Sequence, residues 1–357
     1  MKNSYFRSDI ENMTGYVPGA QPQFDNIIKL NTNENAYAPS PKVFEVIKNF
    51  DVASLRKYPD PVSLKLRQTV AKLHGNGFNE NNVIIGNGSD DILTMIFRSF
   101  TSNKLPFSCV NPTYSLYFEL AEIQGTEAIK VSLDKNNNFA FPEIDDLLKE
   151  IKKTNMFILP RPNAPTGNSF SLEKMREICR NFEGIVVFDE AYADFAEDNC
   201  LELVNEFDNC IVTRTLSKSY SLAGIRLGYA IASEKIIEGM NKVRDSYNID
   251  AITQSVAIAA LEDQEYFVNN VKKIKSTRHR LAQELTNLGF TVLPSQTNFL
   301  FVIPPDRDGE RYYKYLYDHA IITRYFSGEV TKEFVRISIG SNEEVDSLLK
   351  VTKTLYC

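Results

Sequence analysis

Apolar residues along the chain follow two periods in alternation. Short, β-branched apolar runs at 83–85, 108–110, 129–133, 156–159, 185–188, 210–213 and 227–232 read as buried strands. Between several of them, apolar positions recur three and four residues apart. Ile92, Met95, Ile96 and Phe100 do so after a Gly-rich turn, and similar patterns cover 142–152 and 171–182. Two earlier helices are expected, one over 41–50 opened by a proline and one over 62–74 closed by Gly75. Apolar strands alternating with helices indicate an α/β fold with a mostly parallel central sheet covered by helices on both faces. After Asp245 the pattern changes. A long helical stretch over 252–288 precedes short strands at 290–293 and 298–303, a helix near 312–319, a strand over 334–339 and a closing helix. These form a smaller C-terminal α+β unit. Residues 1–38 have Gly, Pro and Asn clusters and no period, as expected of an arm that packs elsewhere. The expected organisation is an N-terminal arm (1–35), a large α/β domain (36–245) and a small C-terminal domain (246–357).

Charge and composition exclude several classes. The 357 residues carry a net charge of −6, with no basic surplus or stripe for nucleic acid. A 43% hydrophobic and 24% charged chain is neither disordered nor of low complexity. The length suits two packed domains, because single cores stop growing at roughly 250–300 residues. The longest apolar window, around 251–261, is far short of the ~20 residues a bilayer requires. The polar N-terminus has no apolar signal core, so cytoplasmic residence is the expectation. Cys109, Cys179, Cys200, Cys210 and Cys357 are widely spaced and read as reduced, mostly buried thiols. The three histidines (His74, His279, His319) have no metal-ligand spacing and read as structural or solvated, so no metal is expected.

Three strand ends carry reactive side chains. Residues 185–192, IVVFDEAY, deliver Asp189 to a sheet edge, although a lone carboxylate there could simply cap a turn. Residues 213–229, TRTLSKSYSLAGIRLGY, set Lys218 just beyond a strand among hydroxyls, with Arg226 eight residues on. Alone, Lys218 would be a solvated surface lysine. Residues 86–90, GNGSD, form a Gly-rich turn at a helix N-terminus, where free N–H groups suit a phosphate. The dinucleotide fingerprint needs glycine at position 91, where Asp91 stands; no P-loop and no G-x-S-x-G occurs. A phosphate cup, an aromatic after Pro112-Thr113, an acidic strand end and a Ser-x-Lys loop with a downstream arginine together suit pyridoxal phosphate.

The segment TLSKSYSLAGIRLGY, with DEAY upstream, resembles class I/II pyridoxal-phosphate aminotransferases of fold type I over essentially the whole chain. Tyr16-Val-Pro-Gly, Asn31-Thr-Asn33-Glu34-Asn, Arg56-Lys-Tyr58-Pro, Thr297-Asn298, Ile321-Ile-Thr-Arg324 and Val335-Arg336-Ile-Ser-Ile-Gly narrow the resemblance to the histidinol-phosphate aminotransferase family. The resemblance implies that Lys218 carries the cofactor covalently and shuttles the proton at the substrate Cα. It implies that Asp189 keeps the pyridine nitrogen protonated, Tyr192 bonds the ring hydroxyl oxygen and Tyr114 stacks on the ring. It assigns the cofactor phosphate to Gly88, Ser89, Asp90, Thr215, Ser217 and Arg226, with Tyr58 reaching over from a second subunit of a homodimer. Arg324 and Arg336 would hold the anionic group of the substrate, with Tyr16 and Asn33 beside it. As plain sequence features, Tyr114, Tyr117 and Phe118 have a lesser reading as core aromatics, and Arg324 one as a surface strand residue.

One departure stands out. Relatives often read P-N-N-P-T-G, whereas this chain reads Pro162-Asn163-Ala164-Pro165-Thr166-Gly167. Ala164 cannot contact the ring hydroxyl, so either Asn163 substitutes or Tyr192 acts alone. The implied activity is transamination between L-histidinol phosphate and 2-oxoglutarate in histidine biosynthesis. An aromatic amino acid transaminase or a threonine-phosphate decarboxylase is the alternative on the same fold. A cofactor-binding regulator without catalysis lacks any DNA-binding segment or basic arm.

Overall fold

The computed structural model describes residues 5–6, 8–11, 13, 15 and 26–356. Its strands are β1 (Ile28–Lys29), β2 (Val83–Gly86), β3 (Phe107–Asn111), β4 (Ala128–Ser132), β5 (Met156–Pro160), β6 (Ile185–Asp189), β7 (Cys210–Thr215), β8 (Gly228–Ala232), β9 (Thr291–Val292), β10 (Phe299–Ile303), β11 (Ile321–Ile322), β12 (Arg324–Tyr325) and β13 (Val335–Ser338). Seven of them form one sheet in the order β2-β8-β7-β6-β5-β3-β4. β3 to β7 run parallel, whereas β8 is antiparallel to both β7 and β2.

Side chains alternate across this sheet with period two. Phe157, Leu159, Val186 and Phe188 enter one apolar cluster, and Met156, Ile158 and Val187 enter another on the opposite face. Burial on both faces is why these strands read as unbroken apolar runs. Helices cover each face, and the open edge at the C-terminal ends of β6 and β7 is where doubly wound sheets hold ligands. The cysteines at 109, 179, 200 and 210 are buried free thiols, and Cys357 lies outside the described residues.

A second, antiparallel sheet (β12-β13-β10-β9) lies in the C-terminal stretch with its own cluster around Ile274, Leu281, Leu300 and Ile337. β1 pairs in parallel with β11 as a separate two-stranded sheet, and just beyond it Asn33 and Asn35 hydrogen-bond Tyr192 and the Lys218 carbonyl. Two features differ from the sequence pattern. The helical stretch expected over 252–288 is two helices, Ala251–Leu261 and Gln264–Asn287. Between them, Asp263 leaves the helical path to accept a hydrogen bond from the Ser40 hydroxyl and face Lys42. The first of these helices joins the large-sheet core through Val256, Ala257 and Ala260, against Leu66 and Val70, although it lies beyond residue 245. The helix expected from residue 62 starts at Leu64, because Ser63 adopts a left-handed backbone with φ 49°.

Candidate active site

The C-terminal edge of the large sheet opens on a cavity of about 710 Å³. One wall is the Gly-rich turn. Gly88 has φ +84°, and a Cβ there would lie 2.6 Å from Nη2 of Arg226. A Cβ on Gly228 would meet the Ser89 amide at 2.4 Å, so glycine lets β8 abut the N-terminus of the helix Ser89–Phe100. Unpaired N–H groups and the dipole make that terminus an anion cradle. Around it stand Arg226, whose Nη1 donates to Ser217 Oγ at 3.4 Å, and Thr215, whose hydroxyl is 3.0 Å from that of Ser217. Asp90 accepts from Arg226 at 3.2 Å and from the Tyr114 hydroxyl at 3.4 Å. The cradle is a cation, two hydroxyls and a helix end, which fits a phosphate.

β6 brings Asp189 to the cavity floor, only 5% exposed. Its Oδ2 accepts from the Tyr117 hydroxyl at 2.7 Å, and its Oδ1 from Thr213 Oγ1 at 3.2 Å and the Ala191 amide at 3.3 Å. Burial pushes this carboxyl above the usual range, and those three donors oppose the shift. Lys218, beyond β7, donates from Nζ to the Thr32 carbonyl at 3.0 Å. Burial lowers its pKa to about 8, helped by the Arg336 and Arg226 cations and opposed by Glu34 and Asp90. Tyr192 accepts from Asn33 Nδ2 at 2.9 Å, and its ring centroid lies 6.0 Å from the Lys218 amine. Asn33, with φ 54°, is fixed by Ser338 and Asn298.

Arg324 on β12 and Arg336 on β13 are direct cross-strand partners. Both line the cavity, and each guanidinium lies 5.4 Å from the Phe326 ring. Like charges placed opposite each other are unfavourable unless an anion joins them. Arg324 is therefore a cavity residue, not a surface one.

Among the described residues, two expected site side chains do not line this cavity. Asn163 is a correction: its amide donates to the Pro112 carbonyl at 3.1 Å and to Thr166 Oγ1 at 2.7 Å, so it braces its own loop while Ala164 and Pro165 line the cavity. Tyr58 is 81% exposed and stacks on Tyr247 with centroids 4.5 Å apart, away from the cavity of its own chain. Tyr16 lies outside the described residues. No histidine lines the cavity; half-buried His74 bonds Tyr229 and has its pKa lowered to about 3, mainly by desolvation. The sequence reading missed Thr32, which acts through its carbonyl and leaves no side-chain signature. It left Tyr117 as a possible core aromatic, although its spacing of three from Tyr114 at a helix start was a usable signal.

Residues 25–351 match the family model of class I and II aminotransferases. The chain belongs to that family, among the histidinol-phosphate aminotransferases. It is 46% identical over 351 residues to the histidinol-phosphate aminotransferase of Citrifermentans bemidjiense, covering 98% of both chains. The enzyme of the same name from Geobacter sp. strain M21 is 44% identical over 351 residues, again covering 98% of both. Among solved structures, the histidinol-phosphate aminotransferase of Sinorhizobium meliloti in complex with pyridoxal-5'-phosphate superposes with a TM-score of 0.86 at 25% identity, covering 99% of this chain and 98% of that one. For an aminotransferase, a buried lysine amine, a buried carboxylate and an anion cradle around one cavity are the expected chemistry.

Proposed function

We propose that this aminotransferase moves the amino group between L-histidinol phosphate and 2-oxoglutarate, giving imidazole-acetol phosphate and L-glutamate. The observation that carries the substrate class is the opposed pair Arg324 and Arg336 in the cavity that holds Lys218 and Asp189. Planar guanidinium forks bind phosphate and carboxylate alike, so one anion site serves both the donor and the acceptor. Pyridoxal 5'-phosphate, when bound, supplies a protonated pyridine ring that delocalises the electron pair left at the substrate Cα.

The residues divide the remaining work. Gly88, Ser89, Thr215, Ser217 and Arg226 hold the cofactor phosphate. Asp189 holds the proton on the pyridine nitrogen, and the charge there in turn favours the carboxylate form against burial. Tyr114 covers the ring and Tyr192 bonds its hydroxyl oxygen, the contact that Ala164 cannot make. The Lys218 amine, its pKa lowered by burial, takes the proton from the substrate Cα and gives it up again on the cofactor side of the transferred nitrogen.

The same reading has two copies of the chain facing each other in the cytoplasm. Val52, Leu55, Tyr58, Val62 and Leu64 are exposed in one stretch beside Tyr247, an apolar surface suited to a second copy that receives Tyr58 near its cofactor phosphate. Among the described residues no helix is long and apolar enough to cross a membrane. Residues 36–245 with the helix Ala251–Leu261 form the cofactor-binding body, and the rest of the C-terminal stretch the smaller unit. The test is a transamination screen with purified protein against histidinol phosphate, phenylalanine, tyrosine and threonine phosphate. Histidinol phosphate should give the highest kcat/KM; a preference for phenylalanine, or release of CO₂ from threonine phosphate, would overturn the substrate reading.

A further inference from the structure

The face of the sheet edge opposite the cavity holds a charged network. Strand alternation turns Asp189 and Thr213 toward each other on the cavity side and sends Glu190 and Arg214 the other way. Glu190 is 1% exposed and Arg214 5%. Arg214 bonds Glu190 Oε2 through Nε at 2.9 Å and Nη2 at 2.7 Å, and bonds Asp194 Oδ1 through Nη1 at 2.8 Å. The second oxygen of Asp194 accepts the Ser219 hydroxyl at 2.5 Å. Asp194 sits in the short turn Ala193–Phe195 directly after Tyr192, and Ser219 directly follows Lys218. The carboxylate thus ties the loop of one cofactor-facing residue to the loop of the other.

The opposite side of the same peptide is also held. Asn35 Nδ2 donates to the Lys218 carbonyl at 2.9 Å and to the Ser219 carbonyl at 3.3 Å. A lysine side chain is long and flexible, so its amine is only as well aimed as the backbone that carries it. Buried ion networks are poor stabilisers compared with apolar packing, so one next to a reactive residue calls for another role.

We propose that Asp194, oriented by Arg214 and bonded to Ser219, is a positioning residue that fixes the backbone of Lys218 for capture of pyridoxal phosphate and for proton transfer. The inference rests on Lys218 as the cofactor-bearing residue. Ser219→Ala removes one hydroxyl, whereas Asp194→Asn keeps the shape and removes the charge. Both are tested as full-length protein stripped of cofactor and then given pyridoxal phosphate. Uptake is followed by the visible absorbance band, and kinetics are measured after reloading. Misaiming a reacting group costs up to roughly a hundredfold, so Ser219→Ala should slow uptake and lower kcat about tenfold, with KM for donor and acceptor within about twofold of wild type. Asp194→Asn should move in the same direction; if it fails to fold, Ser219→Ala decides alone. Wild-type uptake with Ser219→Ala equal to wild type in uptake rate and kcat overturns the inference, as does a lowered melting temperature with no kinetic change. A wild-type protein that takes up no cofactor defeats the functional reading itself, and the inference with it.

Discussion

Replacing Tyr117 by phenylalanine removes one oxygen from a fully buried site. That oxygen donates to Asp189 at 2.7 Å, the shortest of the three bonds holding the carboxylate. A hydrogen bond to a charged group contributes about 1.5–3 kcal/mol, and leaving the carboxylate short of a donor forfeits it. At about 1.36 kcal/mol per pKa unit, Asp189 should become harder to ionise by roughly one to two units. The sign follows from the groups present. Burial already raises this carboxyl and the tyrosine opposes that, so its loss raises the pKa further. Because the ionised form supports catalysis, activity should fail at a higher pH than in the wild type. The assay is kcat/KM for histidinol phosphate across about pH 5 to 9, reading the acid limb. The limb should move up by one to two units, with kcat/KM down roughly ten- to a hundred-and-fifty-fold at pH values below the new limb. An unmoved limb with kcat/KM within twofold of wild type would refute the role given to Tyr117 and, with it, the need for a charged Asp189.

Other consequences are open to simple measurement. Lys218→Ala should abolish multiple turnover, and steady-state transamination above background would contradict the proton-transfer role. Arg336→Ala should raise KM for both histidinol phosphate and 2-oxoglutarate about ten- to a hundredfold, since both anions use one site; a rise for only one would separate their sites. Gly88→Ala forces a Cβ to 2.6 Å from Arg226 at φ +84° and ψ 168°, a region essentially reserved for glycine, and costs about 1–3 kcal/mol in backbone conformation alone. Fluorescence titration should show weaker pyridoxal phosphate binding, and unchanged affinity would argue against the cradle. Lys218 in the cofactor-free protein has its pKa lowered to about 8, so the neutral amine that reacts grows as pH rises through that value. Cofactor uptake should accelerate between about pH 7 and 9, and a flat profile would mean the amine is not depressed.

Legibility in the sequence followed the range of the forces involved. The sheet was readable because strands buried on both faces must be apolar throughout, and helices on its faces must repeat at 3.6. Asp189, Lys218 and Arg226 were readable because each sits at a strand end or turn where reactive groups reach a sheet edge. The break at Asp263 was not, because it depends on Ser40 and Lys42, more than 200 positions away. Nor was the orientation of Asn163. Its Nδ2 is held by Pro112 and Thr166, and which way a loop amide turns is decided by those partners. The Thr32 carbonyl contact to Lys218 spans 186 positions and uses backbone that any residue could supply.

The most direct measurement is reduction of the pyridoxal-phosphate-loaded protein with borohydride, followed by peptide mapping. A covalent link to Lys218 predicts one phosphopyridoxyl group per chain, on that residue. A label on any other lysine, or none after full loading, would contradict the account at its centre.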